Sequence, residues 1–514
     1  MSIHTMQLSW LDITAFVLFI AFVIGVSLFA SRKEETGEDY FLAGRRLTWW
    51  LIGFSLIASN ISTEHFVGQA GRGFEIGLAI ASYEWMAAVT LVIVAFFFLP
   101  HFLRYGIYTM PEFLEYRFDV TTRTIMATFM MTAYVLVALA TVLYSGALAL
   151  EAVFGVGTTV GIWAIGILAG LYTVYGGLKA VVWSDLIQGI ALILGGILVT
   201  VLGFQAVGGV GAFVDLAGDK LHTVLPWDHP EMPWVAVFIG GLWIPNLFYW
   251  GLNQFITQRA LGARSLRDGQ RGIILAATIK LLIPFIIVFP GIMAAELYGS
   301  SITNPDQAYP VLIREILPAG LTGIMFAALF GAVMSSLDSM LNSAATIFTV
   351  DIYQRHIRKG AGASRDLVRV GRIATGALVV IGCLWAPLVA RAGSVFEYIQ
   401  MFWGFISPGI VVAFLFGLFW KKAPPVAASG AMLLGIPVYG LLLWRLPEVA
   451  FLHHMMITGV VLALFMTAVT LWRPRAVPAA MPAAPAIDLT GSRGARIGGV
   501  AVVLATVALY VVFW

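Results

Sequence analysis

Two ionisable side chains fall inside long apolar runs: Glu84, within Ser82-Tyr83-Glu84-Trp85, and Lys280, within Thr278-Ile279-Lys280-Leu281. A charge at such depth is expensive in hydrocarbon and is retained for a function, a partner or both. Glu84 accepts hydrogen bonds and Lys280 donates them, so together they can make a polar pocket with no net charge. The plainer alternatives are a structural ion pair or a Lys280 that snorkels to the interface. Asn246 and Gln400 add amides that both donate and accept, and His65 follows a small, polar stretch. Each of these can instead serve only neighbouring backbone. Tyr83 and Tyr249 can stack on the apolar face of a ligand or simply pack.

A second constellation is made of oxygens. Ser335-Ser336, followed by Leu337-Asp338-Ser339, supplies hydroxyls that can join free backbone carbonyls in a cage for a hard alkali cation. Serines in membrane helices also bond back to the preceding turn, so both readings stand. Asp185 lies a turn or two inside the end of its apolar run, and Asp338 is a further buried-span charge that can face a vestibule. Catalytic signatures are missing: there is no HExxH, GxSxG or GxxxxGK[ST], and neither Gly71-Arg72-Gly73 nor Gly155-Val156-Gly157 has dinucleotide-turn spacing. The single cysteine, Cys383, excludes an intrachain disulfide and a cysteine metal cluster. These residues point to binding and passage, not to an enzyme.

The elements that must position them are membrane helices. The 514 residues are 60% hydrophobic and 11% charged, with mean hydropathy +0.91. Soluble domains carry roughly 25% charge, so a water-soluble fold of this length could not cover its surface. A net charge of +3 suggests no nucleic-acid partner. Runs of about 20 apolar residues give fourteen spans, near 9–30, 48–71, 77–100, 124–154, 157–175, 180–204, 235–258, 271–298, 319–350, 373–392, 395–419, 425–444, 451–472 and 496–514. Residues 1–8 carry no Lys or Arg, so the first run reads as a span and not as a cleavable signal. With both termini outside, 24 of the 30 basic residues fall in inner loops, five in outer loops, and Lys280 in mid-span, as the positive-inside rule requires. The outer loop 205–234 can hold a short lid element, and the Ala/Pro-rich 474–492 reads as a flexible inner linker.

Two spans are unfit to be continuous helices. The second contains Gly53-Phe-Ser55-Leu-Ile-Ala58-Ser59-Asn60-Ile61-Ser62-Thr63-Glu64, and the seventh Gly240-Gly241-Leu-Trp-Ile-Pro245-Asn246-Leu-Phe-Tyr249-Trp250-Gly251. Irregular backbone at membrane depth is tolerated only where protein buries it or a cavity wets it. If spans two to six form one repeat (48–204) and spans seven to eleven its inverted copy (235–419), both breaks fall on the first helix of a repeat. Matched breaks of this kind point to a secondary transporter's site. One helix (9–30) precedes the core and peripheral helices (425–514) follow it.

Five stretches carry a resemblance: Gly44-Arg-Arg-Leu-Thr-Trp-Trp-Leu-Ile-Gly53, Ala58-Ser-Asn-Ile-Ser-Thr-Glu-His-Phe-Val-Gly68, Gly106-Ile-Tyr-Thr-Met-Pro-Glu-Phe113, Tyr175-Gly-Gly-Leu-Lys-Ala-Val-Val-Trp-Ser-Asp185 and Ser335-Ser-Leu-Asp-Ser-Met-Leu-Asn-Ser343. Together they resemble the sodium/solute symporter family, in its sodium–glucose cotransporter branch and closest to the bacterial sodium/galactose members. The resemblance implies an all-α, five-plus-five inverted-repeat (LeuT-type) fold with one extra helix before and three after. It implies a sodium site from the carbonyls of Ala58, Ile61 and Ala332 and the hydroxyls of Ser335 and Ser336, with Asp185 on the ion's inward route. For sugar it implies His65, Glu84, Asn246, Lys280 and Gln400, with Tyr249 as inner gate and Tyr83, Phe396 and Gln69 at outer-gate positions. His65 replaces a glutamine of the bacterial galactose members, Ala87 a serine, and Gln69 a larger apolar residue, so the preferred sugar stays open. The expectation is a sodium-coupled importer of a neutral hexose in the bacterial inner membrane. The alternatives are the same machine for inositol, an amino acid or sialic acid, or a sugar-binding sensor or channel.

Overall fold

The computed structural model describes residues 9–30, 36–62, 64–154, 156–358, 364–389, 395–477 and 487–514. Among them every regular element is helical, and the few β contacts are isolated bridges. In chain order the helices used below are α1 (Trp10–Ala30), α2 (Gly37–Leu42), α3 (Trp49–Asn60), α4 (Ala70–Ile76) and α5 (Ser82–Ile93). They continue with α6 (Val120–Leu148), α7 (Thr158–Tyr175), α8 (Gly177–Ala206), α9 (Trp234–Phe238), α10 (Trp243–Leu247), α11 (Gln254–Leu261) and α12 (Leu266–Tyr298). The last are α13 (Leu321–Thr346), α14 (Ser364–Val389), α15 (Val395–Phe419), α16 (Pro425–Arg445), α17 (Phe451–Trp472) and α18 (Arg493–Val512).

Burial sorts these helices into centre and rim. The most apolar window of the span containing α13 is 89% buried and that of α1 only 11%, so α13 is a core helix and α1 keeps most of its surface for lipid. α13 packs on α1, α3, α7, α8 and α14, while α12 packs on α3, α4, α5 and α18. The two helices that carry Ser335-Ser336 and Lys280 therefore both abut α3.

Thirteen helices among the described residues are long and apolar enough to cross a membrane, against fourteen expected runs. The difference is the second run. α3 has 12 residues, about 18 Å of rise, and stops little more than halfway through a hydrocarbon core of about 30 Å. Ile61 leaves the helical region (φ −72°, ψ 107°), and the chain resumes as a π-helical segment, Glu64–Gln69, that leads into α4. α4 ends at Gly77, whose φ is +77° and where a Cβ would lie 2.2 Å from the Lys220 carbonyl oxygen. Only glycine meets both demands.

The seventh run is also interrupted, at the Gly240-Gly241 end of the expected stretch and again just beyond it, but not at Pro245 itself. Pro245 sits in the first turn of α10, where an N–H has no intrahelical partner to lose. The breaks flank it. One is the turn between α9 and α10 at Gly240-Gly241, and the other is Asn253, which is extended (φ −82°, ψ 122°) after a π-helical turn, Phe248–Leu252. Residues 205–234 do contain a short helix, Val210–Ala217, with Phe213 buried against Phe204 and Phe289. Much of the expected 474–492 linker lies outside the described residues.

Candidate functional site

The two breaks face each other across a cavity. Its wall includes His65, Gln69, Tyr83, Glu84, Asn246, Tyr249, Lys280 and Gln400, together with Asn60, Glu64, Trp250 and Trp403. Residues from both halves of the sequence thus meet in one chamber. Glu84 and Lys280 form an ion pair there and both are buried. The Lys280 ammonium also donates to Asn60 Oδ1 and lies 5.0 Å from the Trp250 ring centroid. Glu84 accepts from Gln69 Nε2 at 3.0 Å, and His65 Nε2 stands 3.4 Å from the same carboxylate. Asn60 Nδ2 donates to the Tyr249 hydroxyl at 3.0 Å.

Lys280 balances Glu84, Glu64 adds a second carboxylate to the wall, and two of the amides are each left with an unpartnered atom. Gln69 Oε1 and Asn246 Nδ2 are buried without a hydrogen-bond partner among the described residues. Buried polar atoms are nearly always satisfied, so a bare acceptor and a bare donor on one wall mark a place for a ligand with hydroxyl-like groups. The aromatic rings of Trp250 and Trp403 supply apolar area beside them.

A smaller cavity lies beyond, lined by Ser59, Asn60, Ser62, Glu64, Tyr249, Ser336 and Met340 among others. Asn60, Glu64, Tyr249 and Trp403 belong to both walls, so Tyr249 stands as a partition. The backbone of α3 opens at this point. Its last helical bond runs from Ile61 N–H to the Ile57 carbonyl at 2.8 Å, and Ser62 N–H turns to His65 Nδ1 at 3.4 Å. The Ala58 carbonyl is left without its i+4 donor. Ser336 Oγ donates to the Ser59 carbonyl at 3.4 Å, which ties α13 to this open end.

Asp185 anchors the oxygens around it. It accepts from Ser55 Oγ at 2.5 Å, Ser59 Oγ at 3.0 Å and Ser335 Oγ at 2.5 Å. Arg259 Nη2 approaches to 3.3 Å, and both members of this ion pair are fully buried. Arg259 also donates to Ser55 Oγ at 2.9 Å and to Ser339 Oγ. A hydroxyl that gives its proton to Asp185 keeps its lone pairs for a cation, so the Ser335 geometry is compatible with metal ligation.

The structure brings together all six residues of the expected sugar set, and Tyr83 and Gln69 with them. The side chain of Phe396 lies outside the described residues. Ser336 reaches the Ser59 carbonyl at the open end of α3, next in sequence to Ala58, Ser335 reaches Asp185, Ile61 is the residue at which α3 opens, and Ala332 lies one turn before Ser336 on α13. Sequence reasoning missed Asn60, Glu64, Trp250 and Trp403. Asn60 stood in the broken stretch, where an amide two residues after Ala58 was signal enough. Arg259 is a correction: with the seventh run ending at 258 it falls among the 24 inner-loop charges, yet α11 carries it into the core to neutralise Asp185. Hydropathy ended that run at residue 258, and a paired arginine one residue later looks like a loop.

The sequence profile of the sodium:solute symporter family matches residues 40–436. This chain belongs to that family. Among characterised relatives it is 45% identical to the sodium/glucose cotransporter of Vibrio parahaemolyticus over 482 residues, covering 88% of each chain. It is 33% identical to the sodium/myo-inositol cotransporter 2 of Homo sapiens over 464 residues, covering 83% of this chain and 68% of that one. Among solved structures, a Na+-coupled sialic acid symporter in a substrate-bound outward-open state matches with a TM-score of 0.84 at 24% identity, covering 92% of this chain and 99% of that one. The similarity establishes a LeuT-type fold for this symporter-family member, a multi-pass membrane protein that carries solute and performs no enzymatic reaction.

Proposed function

We propose that this symporter imports a neutral hexose together with sodium, by alternating access across the bacterial inner membrane, with both termini outside. The observation that carries the reading is the convergence of a neutralised Glu84–Lys280 pair, the amides of Gln69 and Asn246, and His65 and Gln400 on one cavity between two broken helices. Glu84, His65 and Lys280 would exchange hydrogen bonds with sugar hydroxyls. Tyr249 would bar the way towards the smaller cavity, and Tyr83, Gln69 and Phe396 would close the other side. Sodium would take the carbonyls of Ala58, Ile61 and Ala332 and the hydroxyls of Ser335 and Ser336. Ion binding would then fix the open end of α3 against α13 and so hold the sugar-competent state, and Asp185 would lie on the ion's way inward.

The driving force is sufficient. One charge crossing 100 mV supplies about 2.3 kcal/mol and a tenfold gradient about 1.4, which together support roughly a 500-fold sugar gradient. A carboxylate solute would meet a pocket whose one cation is already neutralised by Glu84, so an acidic sugar fits less well. A neutral cyclic polyol would meet the same donors and acceptors, and the similarity to a protein named for myo-inositol keeps that second reading in view. The test is a competition panel of galactose, glucose, myo-inositol, sialic acid and amino acids against sodium-driven uptake, with choline replacing sodium as the control. Block by a hexose at lower concentration than by any other member supports the proposal. Block by amino acids but not by hexoses overturns it.

A further inference from the structure

One of the two chamber charges sits at a bend in its helix. Pro284 lies inside α12 four residues after Lys280, and Pro290 four residues after Ile286. A proline has no N–H to give the carbonyl four residues back, and its ring pushes that carbonyl aside. The Lys280 and Ile286 carbonyls therefore lose their usual helical donors, and the stretch between them is short of internal bonds. Groups from other helices reach into it. Tyr309, in the helix Ala308–Ile316, donates to the Ile286 carbonyl at 3.3 Å, and Thr200 Oγ1 on α8 lies 3.0 Å from the Phe285 carbonyl. Trp85 Nε1 donates to the Leu281 carbonyl at 3.3 Å.

The last of these bonds joins the two helices of the ion pair. Trp85 directly follows Glu84 on α5, and Leu281 directly follows Lys280 on α12. Neighbouring residues on a helix point about 100° apart, so this tether fixes the spacing of α5 and α12 from behind while Glu84 and Lys280 face the chamber. Trp85 is fully buried and is not part of the chamber wall. Its ring packs on Phe285 of α12, 6.3 Å away between centroids, and on Tyr510 and Phe513 at 5.3 and 6.2 Å. The latter two stand at the end of α18, outside both expected repeats. A phenyl ring could occupy much of the same cage; what an indole adds is an N–H that reaches across to α12.

We infer that Trp85 is a positioning residue for the Glu84–Lys280 pair. Its N–H, backed by the rings of α18, holds α12 at the proline bend, so that the ammonium meets the carboxylate and the solute in one fixed geometry. The effect on the solute rests on the proposed sugar site; the tether itself does not.

The test removes the N–H and keeps an aromatic ring. Trp85→Phe is the first variant. Benzothienylalanine placed at position 85 by codon suppression is the second; it has sulfur where the N–H was, keeps the bicyclic outline, and carries the test if Trp85→Phe fails to fold. Purified full-length proteins are compared by equilibrium binding of galactose and glucose, by 22Na+ binding without sugar, and by hydrogen exchange of peptides covering residues 278–286, which needs no ligand. Loss of one buried hydrogen bond should raise the sugar dissociation constant about five- to tenfold and leave that for sodium within about twofold. Exchange across 278–286 should quicken severalfold while that of α13 stays as in the wild type. Sodium affinity and α13 exchange altered as much as sugar affinity would make Trp85 a packing residue only and overturn the inference. Sugar affinity or 278–286 exchange left unchanged in both variants would overturn it too. Faster exchange at 278–286 in the variants of a protein that binds neither hexose keeps the tether and removes the sugar reading instead.

Discussion

At the scale of single residues, the pocket depends on a charge pair that neither partner can leave cheaply. Removing one member of a buried ion pair costs about 3–5 kcal/mol because the other charge is stranded. Lys280→Ala strands Glu84, unpairs Asn60 Oδ1 and deletes a donor to the ligand. Sugar affinity should fall at least about 100-fold, or about 2.8 kcal/mol, as read by equilibrium binding; normal affinity would make Lys280 purely structural. Ser336→Ala should act on the other ligand. It should raise the sodium concentration for half-maximal uptake about tenfold and leave the ranking of sugars intact, and an unchanged sodium activation curve would remove Ser336 from the ion site. Glu84 and Lys280 were legible in the sequence because apolar neighbours make a charge conspicuous. Arg259 was not, because charge at the edge of a run looks like charge in a loop until its partner Asp185, on another helix, is placed beside it.

At the scale of elements, a helix break is a matter of where backbone partners go. The small and polar stretch around Asn60 announced the first break correctly, since nothing there favours burying a continuous rod. In the seventh run the glycines of the expected stretch mark the break, while Pro245 sits harmlessly in the first turn of α10. The chain turns at Gly240-Gly241, where α17 packs closely, and opens again at Asn253. A Cβ on Gly241 would lie 1.6 Å from the Leu452 carbonyl oxygen, a contact that no local sequence pattern can reveal. Gly241→Ala should therefore lower the thermal midpoint of the purified protein well beyond the cost of about 1–3 kcal/mol typical of overpacking. Gly376→Ala, on a helix with nothing within 4 Å of its Cβ, should raise the midpoint slightly, since alanine is the better helix former. Equal effects at the two glycines would contradict the close approach of α17 to the seventh span.

At the scale of the molecule, the number of spans to within one and the presence of two breaks were readable from hydropathy and composition, because lipid imposes length and polarity on every span. The order of packing was not. That α3 touches both α12 and α13, and so shares residues between the two cavities, follows only from the tertiary arrangement. Orientation can be checked directly, since the single native cysteine, Cys383, is buried. With both termini outside, Asp219→Cys should react with an impermeant maleimide added to intact cells, and Lys421→Cys should react only after permeabilisation. The reverse pattern would invert the topology.

The central claim is that the chamber between the two breaks loads sodium and a neutral sugar and delivers both to the same side. Radiolabelled galactose and glucose uptake into proteoliposomes under an inward sodium gradient tests it most directly. The account predicts transient accumulation of at least one of them above the outside concentration with sodium, and none with choline. Equilibration to the outside level in both salts would contradict it.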